Sequence, residues 1–267
     1  MTILLTNDDG IWSPGLFALK LELERAGREV VVVAPRSQKS GAGKSVSFEV
    51  SVEQVKLKDG SVAYAVEGTP ADAVLVAFDL VSDLELVVTG VNQGPNLGIW
   101  DLLSSGTVGA AIEAALESVP AISVSYVARS WERYLEMGVE DYKLPARVGA
   151  KVAEYVLEQG MPYGVDVINI NVPEWVRESE IKFRITKLAK VGAKGLYVRH
   201  GEGLFKAREW SLECYADPDE TTDVGAVLTG YISITPISLS ALCVPAYAAD
   251  LVRKLEEEFR GIRVEEV

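Results

Sequence analysis

A chain of 267 residues can bury a full core, and 48% hydrophobic with 24% charged residues is the balance of a globular protein, not a disordered one. The formal charge of −13 argues against a nucleic-acid groove or an anionic membrane surface as the main partner. A small phosphorylated substrate stays open, because a divalent metal can reverse the field within one cleft.

Taken in order, Ile3–Thr6 reads as a strand. Ser13-Pro14 is an N-cap followed by a first-turn proline, so a helix is predicted to about Arg25, ended by Gly27. Glu29–Ala34 (EVVVVA) is a continuous apolar run, the mark of a strand covered on both faces. The Gly- and Ser-rich loop PRSQKSGAGKS follows, then extended stretches over Val46–Val66 that turn at Lys58-Asp59-Gly60, a predicted hairpin. Thr69-Pro70 opens a helix to about Phe78. Leu84–Thr89 is the next core strand and runs into GVNQGPNLG.

Thr107–Glu117 reads as an alanine-faced helix, Ala121–Tyr126 as a strand, Leu144–Glu158 as a helix and Val165–Asn171 as a strand. This alternation predicts an α/β fold with a doubly wound, mostly parallel sheet, in which ligands sit outside the carboxyl ends of the strands. From Ile181 the pattern changes to strands and hairpins (IKFRITKL, GLYVRH, FKAREWSLECY), a strand in LTGYISITPIS and a terminal helix over Val244–Phe259. The expected organisation is a catalytic core over 1–180 and a smaller β-rich C-terminal extension over 181–267, its terminal helix packing back on the core. Tyr197, Phe205 and Trp210 give the extension aromatics that suit either its core or a subunit interface, the interface being favoured because hairpins projecting from a compact core need something to pack on.

No apolar run is long enough to span a bilayer, and no basic segment with a cleavage site opens the chain, so a soluble, cytoplasmic protein is expected. Cys214 and Cys243 read as plain buried thiols. His200 is the single histidine and stands far from the N-terminal motifs, which argues against a Ser-His-Asp triad or a two-His metal site. Asparagine occurs only at 7, 92, 96, 169 and 171.

The sharpest feature is Asp8-Asp9 at the end of the first strand. Two adjacent carboxylates repel unless a cation sits against them, and Ser13 already supplies the helix cap, so the pair reads as oxygen ligands for Mg²⁺ or Mn²⁺. Asn92 and Asn96 offer either an amide oxygen to a metal or an NH₂ to phosphate. Ser105, Gly106 and Thr107 stand at a helix start, where free N–H groups favour an anion. SGAGKS lacks the spacing of a Walker loop; its backbone N–H groups or hydroxyls suit an anion, and a flexible connector is as good a reading of it. Together these features suit a metal-assisted phosphomonoesterase, with either water or Asp9 as nucleophile.

The motifs LLTNDDGIWSPG, SGAGKS, VEGTPADAV, VVTGVNQGPNLG, SGTVGAA, ININVP and TGYISITP, in this order over residues 3–240, together resemble the SurE survival-protein family of metal-dependent nucleotidases. The resemblance implies a Rossmann-like core, a β-rich part that forms homodimers or homotetramers, and hydrolysis of nucleoside 5′- or 3′-monophosphates. It places one divalent metal ion on Asp8, Asp9, Ser40 and Asn92, and the phosphate beside Asn96 and Ser105-Gly106-Thr107. The segment IWDLLS departs from the family pattern, which leaves the roles of Trp100 and Asp101 to the structure. Two readings compete: a haloacid-dehalogenase-like phosphatase, disfavoured because its acids lie two apart, and a nucleotide- or metal-binding regulator without turnover.

Overall fold

The computed structural model describes residues 2–191, 196–207, 215 and 219–242. Cys214, Cys243, Trp210 and the terminal helix expected over 244–259 lie outside the described residues. The chain divides into two compact units, one running to Ile237 and one starting at Ser238. In the second, Leu239–Leu242 forms a single 3₁₀ turn.

The first unit is built from β1 (Thr2–Thr6), α1 (Pro14–Arg25), β2 (Glu29–Pro35), β3 (Val52–Lys56), β4 (Val62–Val66), α2 (Pro70–Leu80) and β5 (Leu84–Gln93). It continues with α3 (Gly98–Ser104), α4 (Gly106–Leu116), β6 (Ala121–Val127), α5 (Trp131–Leu135), α6 (Lys143–Gln159), β7 (Val167–Pro173), β8 (Phe183–Ile185), β9 (Tyr197–Arg199), β10 (Phe205–Ala207), α7 (Asp223–Leu228) and β11 (Ile232–Ile237). Among the described residues nine strands join in the order β3-β4-β2-β1-β5-β6-β7-β11-β8, with β9 and β10 forming a separate antiparallel hairpin. Within the large sheet only the β3–β4 and β7–β11 pairs are antiparallel. The chain after residue 180 thus contributes β8 and β11 to the main sheet.

Strand alternation explains the two layers. Ile3 and Leu5 point into one core with Val32, Leu86 and Val88, where α1 and α6 pack on each other through Leu16, Leu19, Val148 and Ala153. Leu4 points the other way, with Val33 and Val87, into a core closed by α2 and α4. The facing residues there are Ala73, Ala77, Ala110, Ala111 and Ala114, whose short side chains allow close helix approach. Each fully buried Leu in these layers contributes about 1.5–3 kcal/mol.

Caps set the helix starts. Ser13 Oγ accepts from the Leu16 N–H, and Thr69 with Asp72 forms a reciprocal capping box ahead of α2. Three short helices escaped the sequence reading. In α3 the start has no side-chain cap, α5 spans one turn and a half, and α7 lies in TTDVGAVLTG, so Leu228 ends a helix and β11 begins only at Ile232.

From β1 the chain crosses to β2 on one side, and later returns through α2 to β5 on the other. The order therefore reverses between β1 and β5, and a crevice opens outside their carboxyl ends. Asp8-Asp9 and Asn92 both stand there.

Candidate active site

At the exit of β1 the Asn7 side chain donates to Gly10 O at 3.1 Å and to Ser13 Oγ at 2.6 Å, tying the turn to the cap of α1. The buried Asp8 carboxyl accepts from the Thr107 hydroxyl at 2.6 Å, and the Asp8 carbonyl accepts from the Lys39 N–H at 2.7 Å. Asp9 Oδ2 accepts from the Gln93 N–H at 2.8 Å, while Asp9 Oδ1 is buried without a hydrogen-bond partner among the described residues.

Asn92 reaches the same point from β5. The β5–β6 pairing runs in register to Thr89 opposite Ser123 and resumes with Asn92 opposite Ser125, so β5 carries one extra residue, a bulge of the kind that re-aims side chains beside active sites. The Gly90–Val91 peptide within this step is cis. Asn92 Nδ2 donates to Gly94 O at 2.8 Å, which leaves Asn92 Oδ1 facing the Thr107 hydroxyl at 3.4 Å. Thr107 Oγ1 therefore sits between the oxygens of Asp8 and Asn92.

The start of α4 is aimed at Asp8. Ser105 is its N-cap and accepts from the Val108 N–H at 3.0 Å, and the Gly106 and Thr107 N–H groups favour the ionised form of Asp8. A Cβ on Gly106 would lie 2.8 Å from Asp8 Cβ, so only glycine lets the helix end come this close. The expected anion cradle thus already serves a carboxylate of the protein.

Burial raises the Asp8 pKa, partly offset by the Thr107 hydrogen bond. Asp9 is pushed well above the usual carboxylate range by burial and then by the charge of Asp8, with the Gln93 N–H opposing. Among the described residues no basic side chain compensates the pair. Two desolvated acids and the Asn92 amide oxygen, which meets Asp8 at the Thr107 hydroxyl, form an all-oxygen donor set that fits a hard divalent cation; Asp8 and Asn92 line the cleft, whereas Asp9 is not among its lining residues. Among the described residues no three His, Cys, Asp or Glu side chains cluster for a metal, so neutral oxygens would have to complete the set.

Ser40 lies exposed on the loop after β2, its Oγ accepting from Gln38 Nε2 at 3.0 Å, and lines a cleft of about 260 Å³ together with Asp8 and Asn92. Lys44, in the same loop, does not face the cleft acids. It pairs with buried Glu113 of α4 at 2.5 Å. A Cβ on Gly109 of α4 would lie 2.8 Å from Gly43 O, so the loop is seated directly on that helix.

Asn96 is buried, and its NH₂ donates to Ser125 Oγ at 2.8 Å. Its main chain is held by β7: the Asn96 N–H donates to Asn171 Oδ1 at 2.9 Å, while the side-chain amides of Asn169 and Asn171 donate to Asn96 O at 2.9 and 3.1 Å. Ser123 in turn donates to Asn169 Oδ1 at 2.8 Å. Asn169 and Asn171 were not assigned a role from sequence. Their signal was two rare amides spaced by two at the end of a buried strand, which share one face.

Asp101, one turn into α3, also lines the cleft; it accepts from the Leu97 N–H at 3.1 Å and from the Tyr215 hydroxyl. Burial pushes its pKa up to about 6, with the charge of Asp223 adding to the rise. Asp223, at the start of α7, accepts from the Gly98 and Ala189 N–H groups at 2.7 and 2.9 Å. His200 is exposed at the β9–β10 turn, where its N–H donates to Leu204 O, and it is not among the cleft residues.

The family model described as survival protein SurE matches residues 3–194. A 5′-nucleotidase SurE of Methanothermobacter thermautotrophicus is 44% identical over 194 residues, covering 70% of this chain and 73% of its own. Another from Methanoculleus marisnigri is 40% identical and covers 98% of both chains. The crystal structure of the SurE protein from Aquifex aeolicus matches with a TM-score of 0.73 at 32% identity, over 96% of this chain and 100% of that one. By sequence over most of its length, and by fold, the chain belongs to the SurE family.

Proposed function

We propose that this chain is a divalent-metal-dependent nucleotidase that hydrolyses nucleoside 5′- or 3′-monophosphates to nucleoside and phosphate. The observation that carries the reading is the desolvated Asp8-Asp9 pair, uncompensated by any basic side chain among the described residues, with Asp8 and Asn92 Oδ1 meeting at the Thr107 hydroxyl and lining one cleft with Ser40. Relatives named 5′-nucleotidase at 40–44% identity support the substrate class.

Asp8, Asp9, Ser40 and Asn92 would hold one Mg²⁺ or Mn²⁺ ion. Once bound, such an ion supplies positive charge beside the phosphoryl group and eases attack at phosphorus. Thr107 orients Asp8 through its hydrogen bond and, with the α4 N–H groups, opposes the rise in pKa that burial imposes. Of the residues expected on the substrate side, Asn96, held in place by Asn169 and Asn171, and Ser105 line the cleft, while Gly106 and Thr107 are turned to Asp8 and would act on the substrate through it. Asp9 Oδ2 is committed to the Gln93 N–H and Asp9 Oδ1 is enclosed, which favours water over Asp9 as the nucleophile.

The same reading takes the chain from residue 181 as an assembly element. Tyr197 and Phe205 are exposed on the β9–β10 hairpin, as are Phe183 and Ile185 on edge strand β8, and such apolar surface suits a homodimer or homotetramer. Light scattering on the purified protein measures this directly.

The decisive assay is phosphate release from AMP and GMP. Activity should require Mn²⁺ or Mg²⁺, be lost with EDTA and return when the metal is restored, and Asp8→Asn should abolish it. Nucleotide binding with no phosphate released under either metal would leave the regulator reading in its place.

A further inference from the structure

The cleft has a second wall that the hydrolytic chemistry does not use. Trp100 of α3 and Trp131 at the start of α5 both line it, together with Tyr134 and Tyr215. Trp100 remains 40% exposed and Trp131 39%. Indole surface left open in a concave site is unfavourable in water and gains when a flat apolar ligand covers it. Both rings are on held elements. Trp131 packs against Tyr134 with centroids 5.9 Å apart, and the Trp100 carbonyl accepts from Ser104 Oγ at 2.9 Å.

Most side-chain hydroxyl and amide donors along this wall are committed elsewhere. The Tyr134 hydroxyl donates to Tyr126 O at 2.9 Å and accepts from the Ala128 N–H at 2.7 Å, and the Tyr215 hydroxyl donates to Asp101. Gln93 Nε2 donates to Tyr134 O at 2.9 Å, and the Asn92 and Asn96 amides donate to Gly94 O and Ser125 Oγ. Reading one base against another requires donors and acceptors free to meet its edge, whereas stacking needs only a π-face and tolerates every base.

We infer that Trp100 and Trp131 form the nucleobase-binding wall of the cleft, holding the base by stacking and selecting for the presence and size of an aromatic ring. The inference rests on the nucleotidase reading and names how that site takes its substrate. Purine monophosphates gain most, pyrimidines less, and a sugar phosphate without a base nothing.

The test compares AMP, UMP and ribose 5-phosphate with the wild-type holoenzyme, Trp100→Ala, Trp131→Ala and the corresponding Phe variants. In the wild type KM should rise in that order. Each Ala variant should lower the ratio of KM for ribose 5-phosphate to KM for AMP about tenfold, and each Phe variant should keep most of it. Equal KM for AMP and ribose 5-phosphate in the wild type, or Ala variants that leave the ratio unchanged, would overturn the inference. Tryptophan fluorescence supplies a readout independent of turnover: AMP should quench emission, ribose 5-phosphate should not, and Trp100→Ala/Trp131→Ala should lose the quenching. Quenching without phosphate release would refute the nucleotidase reading and leave the stacking wall standing; release from AMP without quenching would do the reverse.

Discussion

The Thr107 hydroxyl donates to Asp8 Oδ1 at 2.6 Å, across 99 residues of sequence, and lies 3.4 Å from Asn92 Oδ1. A single hydroxyl thus sets the orientation of two oxygens on neighbouring strands. It also opposes the rise in the Asp8 pKa that burial imposes. Thr107→Val keeps the shape and removes the donor. Mn²⁺ affinity, measured by electron paramagnetic resonance of the free ion, should fall about 10–100-fold, the usual cost of losing a partner that orients a metal ligand. Thr107→Ser should recover most of it. Unchanged affinity in the Val variant would show that Asp8 needs no such orientation.

Asp101 gives a pH dependence whose sign can be worked out. Its pKa is raised from 3.8 to about 6 in the fold, chiefly by burial, so the folded chain holds that proton more tightly than the unfolded one. This group therefore costs stability progressively as pH rises from about 4 to about 6, with no further change above. Asp101→Asn retains an acceptor for the Leu97 N–H and the Tyr215 hydroxyl without the charge. The variant should exceed the wild type by about 1–3 kcal/mol at pH 7, with the gap closing towards pH 4. Urea denaturation at both pH values measures it. Taking the difference cancels Asp8 and Asp9, whose raised values act in the same sense, while the coupling of Asp223 to Asp101 stays within the measured gap. A gap that does not vary with pH would mean that another group titrates.

Lys44 and Glu113 make the third case. The carboxylate is almost wholly buried, and the ammonium is one-third exposed. Lys44→Met should leave Glu113 buried without its cation and destabilise the fold by about 1–3 kcal/mol, less than a fully buried pair because water reaches the lysine. Lys44→Met/Glu113→Leu should regain stability, since a well-packed apolar pair can replace an ion pair. Because the loop also bears Ser40, the single variant should in addition bind Mn²⁺ more weakly. Equal stability of the single variant and the wild type in urea melts would refute the clamp.

Much of this molecule was readable along the chain. The unbroken apolar runs ILL and VVVV located the central strands, because burial on both faces leaves a continuous apolar stretch in the sequence. Ser13-Pro14 and Thr69-Pro70 located helix starts, because capping is settled within four residues. The helices α3, α5 and α7 left no such record: each is too short for a full amphipathic repeat, and α3 exposes Ile99, Trp100 and Leu103 on a segment that reads as loop.

The sequence by itself determined the layered α/β class and set two acids at the end of its first strand. Only the tertiary structure decided what those acids and their neighbours meet. It assigned Thr107 to Asp8, Asn171 to Asn96 across 75 residues, and Lys44 to Glu113. Periodicity records which face of an element is buried, a property of near neighbours along the chain. The partner of a polar side chain depends on which strand ends lie side by side, and strand order is settled only when the whole sheet assembles.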